Sequence, residues 1–184
     1  MSSKPIIFWI VGLLLAGVAR AETESDKFVR SVFGTVPEKQ TLRLESETQA
    51  KIASMLGKRY SKKEVTYWEQ NGRRIWVVDA QGKVSSIQTG FVVEQGQIAK
   101  SEVLVCKEDH GRQVRSARFL KQFTGLVINE KGQLNRRIDG LSGATISVYA
   151  VTGSAKLALY FDSLVAAQTS MDSASNNLAS SSSP

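Results

Sequence analysis

Three hydroxyls and two glycines fall within nine residues of this chain, Asp139-Gly140-Leu141-Ser142-Gly143-Ala144-Thr145-Ile146-Ser147. Ser142, Thr145 and Ser147 supply oxygens that can hydrogen-bond a phosphate or be esterified by one. The segment leads directly into a helical pattern, so the free N–H groups and macrodipole of the helix start favour an anion there. Gly140 and Gly143 permit positive φ and close approach of the backbone to a bulky group. The same hydroxyls would equally serve as helix caps, and local composition leaves both roles open.

The stretch from Asp139 to Thr145 resembles the flavinylation motif of the FMN-binding domain family. That family includes the flavin-carrying subunits of the sodium-pumping NADH:quinone oxidoreductase and of the related Rnf-type electron transport complex. The resemblance implies FMN held covalently through a phosphoester on Thr145, attached by a dedicated extracytoplasmic flavin transferase. It places Asp139, Gly140, Leu141, Ser142, Gly143, Ala144 and Ser147 around the cofactor. A second stretch, 103–111 (VLVCKEDHG) followed by 119–125 (FLKQFTG), is similar to the strand, turn and F-x-x-Q-F-x-G pattern of small exported members. By that similarity Glu108 and His110 border the flavin; an ordinary polar turn is the alternative for both. Phe119 and Phe123 read as core residues.

The implied role is a relay, passing electrons from a membrane redox protein to an acceptor that the sequence does not identify. Two alternatives stand beside it: a flavin-dependent reductase of a small periplasmic oxidant, and a non-redox FMN-binding or partner module. No Cys-x-x-Cys-His, iron–sulfur spacing or nucleotide-binding glycine fingerprint accompanies the motif. His110 is the sole histidine, which rules out a multi-histidine zinc or haem site, and no metal centre is expected. Cys106 is the sole cysteine, so the chain has no internal disulfide; within the apolar run 103–106 it reads as a small hydrophobe.

The elements that must position the motif follow from periodicity. Residues 46–56 (SETQAKIASML) carry Ile52, Met55 and Leu56 at helical spacing, with Gly57 as a stop. Four segments of strand character come next, 64–69, 74–79, 84–94 and 98–107, separated by Asn71-Gly72, Gln81-Gly82 and Gln95-Gly96. Tyr67, Trp68, Trp76 and Phe91 are expected on one sheet face. Residues 114–123 are ambiguous between a short helix and a loop. From 146 to 167 a long helix is expected, its apolar face marked by Val148, Val151, Ala155, Ala158, Phe161 and Val165. The fold class is therefore α+β, one domain over 22–168, with an antiparallel sheet packed by an N-terminal helix and a long C-terminal helix.

The flanks set the compartment. Lys4, the apolar run 6–19 and the small-x-small site Ala19-Arg20-Ala21 read as a secretory signal peptide over 1–21, cleaved after Ala21. A periplasmic protein is the expectation, with no cysteine for lipid anchoring and no further membrane anchor. Residues 169–184 form a Ser-rich polar tail, expected to be disordered. The formal charge of +7 falls to +5 once the signal's Lys4 and Arg20 are removed. Its basic pairs, such as Arg73-Arg74 and Arg136-Arg137, are scattered, as on a solvated surface rather than a nucleic-acid footprint.

Overall fold

A computed structural model describes residues 21–109 and 111–180 of the protein, with side chains described through 171. The signal-peptide expectation, apart from Ala21, lies outside the described residues, as does His110. In chain order the elements are α1 (Glu24–Phe33), β1 (Gln40–Arg43), α2 (Ser46–Leu56), β2 (Glu64–Gln70), β3 (Arg73–Gln81), β4 (Ser86–Glu94), β5 (Gln97–Cys106), α3 (Ala117–Leu120) and α4 (Thr145–Ser180). The five strands form one antiparallel sheet in sequential order. The α+β class holds, as does each of the four expected strands to within two residues at either end.

Turn chemistry explains the meander. Asn71 and Gly72 have φ of 52° and 73°, and Gln95 and Gly96 have 51° and 74°. Two consecutive positive φ values are the requirement of the tight turn that matches strand twist. The β3–β4 connection differs: it is a wider loop in which the Gly82 N–H donates to the Ser85 carbonyl at 2.9 Å. That loop lies at the opposite end of the sheet from the two tight turns.

Strand alternation divides the apolar residues between two faces. On one, Tyr67, Trp76, Val78, Ile87, Phe91 and Val93 pack with α2 and α4 in the main core. Trp76 stacks on Tyr67 with ring centroids 4.7 Å apart and meets Phe161 of α4 at 5.5 Å. On the other, Trp68, Ile75 and Val92 pack against Phe28 and Val29 of α1. Trp68 therefore lies on the face opposite Tyr67, Trp76 and Phe91, contrary to the expectation of one shared face, because adjacent residues on a strand point opposite ways. Gly90 makes room for α1: a Cβ there would lie 2.5 Å from Phe28 Cε1.

α1 precedes the helix expected to be N-terminal. It carries a capping box in which Thr23 accepts from the Asp26 N–H and Asp26 reciprocates. Residues 112–123 resolve the ambiguity as two 3-10 turns flanking α3, which bury Val114, Phe119 and Phe123. α4 starts one residue before its expected start and buries the whole predicted face. It also continues through 169–180, where a tail without order is the expectation. Neither glycine nor proline interrupts that stretch, and Thr169 and Ser170 turn their hydroxyls back onto the Val165 and Ala166 carbonyls.

Candidate functional site

The nine-residue motif forms a turn and the first coil of α4. The Ala144 N–H donates to the Leu141 carbonyl at 3.0 Å, closing a β-turn across Ser142 and Gly143. Gly143 has φ of 76°, as the third position of a type II turn demands, so glycine is required there. Gly140 has no positive φ, and its role is not conformational in that sense. Buried Ile138 and Ala144 moor the two ends of the loop, leaving Ser142, Gly143 and Thr145 exposed between and beyond them.

The second recognised stretch holds this loop from outside. The Asp139 N–H donates to Gln122 Oε1 at 2.8 Å, and Arg136 donates to the Gln122 and Thr124 carbonyls. Phe119 and Phe123 flank Gln122 in sequence, are buried, and meet edge to face at 5.3 Å. The F-x-x-Q-F-x-G pattern thus has a mechanical meaning: two rings fix a glutamine that fixes the motif's backbone.

At the helix start, the Val148 N–H is the first to reach a helical carbonyl, that of Ala144 at 2.9 Å. The N–H groups of Thr145, Ile146 and Ser147 precede it and have no intrahelical acceptor. Among the described residues no side chain caps them: Ser142, Thr145 and Ser147 accept no hydrogen bond there. The capping alternative is not what these hydroxyls do. Thr145 points into solvent, whereas Ser147 is 3% exposed and packs beneath Gly111.

Thr145 borders two cavities. One, of about 210 Å³, also takes in Lys83, Glu108, Gly111, Gly143, Ala144, Ile146 and Ser147. The other, of about 440 Å³, is lined by Arg136, Arg137, Gly140, Tyr149 and Lys156 among others. Asp139, Gly140, Leu141 and Ser142 line a third space of about 530 Å³ with Arg118, Lys121 and Gln122. Thr145, Ser147 and Glu108 are therefore brought together, while Asp139 and Ser142 face the opposite side of the loop.

Glu108 is itself 3% exposed. Its Oε1 accepts from the Val84 and Ser85 N–H groups at 2.8 and 2.7 Å. These two backbone donors hold its carboxyl below the ordinary value. The oxygen thus ties the β3–β4 loop to the segment after β5. Gly111, the last residue of the recognised stretch 103–111, stands beside Thr145, and Lys83, Arg137, Tyr149 and Lys156 complete its surroundings; these four carry no motif in the sequence, and their place follows only from the fold.

The fold and site define a small α+β domain that presents an exposed hydroxyl at an open helix N-terminus with basic side chains around it. Residues 77–160 match the model of the FMN-binding domain, in agreement with the resemblance of the motif to that family. The match runs from the middle of β3 into α4 and contains Glu108, the F-x-x-Q-F-x-G segment and Thr145. It supports a flavin-binding protein with FMN as the cofactor. The open N–H groups suit a phosphate, and Ile146 and Tyr149, 48% and 72% exposed, offer apolar surface beside it. Comparison with the curated proteins gives no match.

Proposed function

We propose that this chain is an extracytoplasmic electron carrier that holds FMN covalently through a phosphoester on Thr145. The observation that carries the reading is the exposed Thr145 hydroxyl, in the first turn of α4 beside three unengaged N–H groups, inside the FMN-binding domain match. The ester joins Thr145 Oγ1 to the FMN phosphorus, and the chain gains FMN less one water. A diester retains one negative charge, which the helix N-terminus and neighbouring basic side chains stabilise.

Bound there, FMN supplies the redox chemistry at its ring. The protein's part is to hold and orient. The LSGA turn presents Thr145, Gln122 steadies the loop behind it, and the exposed Tyr149 and Ile146 would offer the ring an apolar surface. The 440 Å³ space is open to solvent, which suits electron exchange with protein partners. A flavin transferase for attachment, a membrane redox protein as donor and a separate acceptor are the partners this role requires.

One observation favours a relay over a reductase. Glu108, the one carboxylate lining the two cavities that Thr145 borders, spends Oε1 on backbone N–H groups that favour its ionised form. A general acid needs a proton to give at the working pH. Acid precipitation of protein made in a host containing the transferase tests the proposal: flavin colour should stay in the pellet for wild type and be lost with Thr145→Ala. Colour released to the supernatant from wild type would contradict it.

A further inference from the structure

We infer that the 210 Å³ cavity beside Thr145 is a phosphate-binding pocket in which Lys83 and Ser147 take the FMN phosphate and Glu108 positions Lys83. This rests on the proposed attachment at Thr145 and adds residues that the motif does not contain.

Two observations converge on an anion there. The first is the open start of α4, with the Thr145, Ile146 and Ser147 N–H groups unengaged. The second is Ser147: its side chain is 3% exposed, lines the cavity and has no hydrogen-bond partner among the described residues. Ser147 Oγ is not among the fully buried unpartnered atoms, so within a nearly buried side chain the oxygen itself stays accessible to a ligand. The pocket is also shaped by missing side chains. A Cβ on Gly111 would lie 2.4 Å from Ser147 Oγ, and one on Gly82 would lie 2.6 Å from Glu108 Oε1. Among the described residues lining the cavity, Lys83 is the one cation.

Lys83 stands in the wide β3–β4 loop, between Gly82 and the Val84 N–H that Glu108 accepts. The carboxylate therefore sets where Lys83 stands. Charge alone makes the opposite prediction for Glu108, since a negative group at the mouth of an anion site repels the ligand. The two accounts separate on one substitution.

The test is FMN binding by full-length chain produced without flavin transferase, followed by flavin fluorescence, with riboflavin as the phosphate-free control. Lys83→Met should weaken FMN roughly three- to tenfold and leave riboflavin unchanged. Glu108→Ala should weaken FMN as well, and the double variant should be no weaker than Lys83→Met. Glu108→Gln, which keeps an acceptor oxygen for Val84 and Ser85, should bind FMN at least as tightly as wild type. Equal FMN affinity in Lys83→Met and wild type, tighter binding in Glu108→Ala, or no FMN binding by wild type would each overturn the inference. The mass of the Thr145 peptide from a transferase-containing host is read separately: an adduct with unchanged Lys83→Met binding removes the pocket alone, and a missing adduct removes the attachment.

Discussion

Thr145 and Ser147 stand two residues apart on one helix and face different media, the first in solvent and the second under Gly111. Substitutions at them should part accordingly. Thr145→Ala removes an exposed group and should shift stability by no more than about 0.5 kcal/mol while abolishing the adduct; a thermal melt and an intact mass report the two effects independently. Asp139 is exposed, and it is its backbone N–H, not its carboxylate, that bonds Gln122. Asp139→Ala should therefore melt like wild type yet acquire flavin more slowly, if its carboxylate helps the transferase or polarises Thr145. A normal rate of adduct formation, followed by mass spectrometry, would remove that role. Thr145 was legible as the candidate attachment residue because its neighbours form a dense motif. Lys83 was not, since a lysine in a turn carries no spacing that distinguishes it from a solvated surface charge.

Elements decide whether those residues meet. The main strands and α4 were legible because each repeats its period over many residues. β1 is only four residues long with Leu42 its one buried side chain, too little for a period to register. α1 did leave a signal, Thr23 and Asp26 ahead of Phe28, Val29 and a terminal Gly34, but its burial depends on a sheet face assembled much later in the chain. Gly90 is the contact that lets it dock. Gly90→Ala should cost about 1–3 kcal/mol by driving a methyl into the Phe28 ring, measurable as a lower denaturation midpoint.

α4 also hides a charge that its pattern suggested was merely scarce. Asp162 is buried, accepting from Trp76 Nε1 and Arg74 Nη1, each at 3.3 Å. Burial pushes its carboxyl above the ordinary value, with Arg74 and the Trp76 N–H pulling the other way. The folded chain thus binds that proton more tightly than the unfolded chain, so acidification from neutrality through the raised value favours folding. Glu108 acts in reverse: its contribution is present above the ordinary carboxylate value and is lost as pH falls through its lowered one. Melting across pH should show Asp162→Asn losing the gain on mild acidification and keeping the loss at lower pH. A gain that survives in Asp162→Asn would contradict this assignment.

On the proposed reading the whole molecule is a mildly basic exported domain whose cofactor must not diffuse away. The proposed phosphoester would meet that need at the end of the sheet where the β3–β4 loop, the segment after β5 and the start of α4 converge. Lys83, Arg137 and Lys156 near Thr145 should make electron exchange with an acidic partner slow as ionic strength rises, a trend stopped-flow reduction would record. The most direct measurement is peptide-level mass spectrometry of protein exported from a host that contains the flavin transferase. The peptide carrying Thr145 should be heavier by FMN less one water, with fragment ions locating the addition on that residue and nothing added in Thr145→Ala. An unmodified Thr145 peptide from the wild type, or the same mass increment found on another residue, would contradict the account.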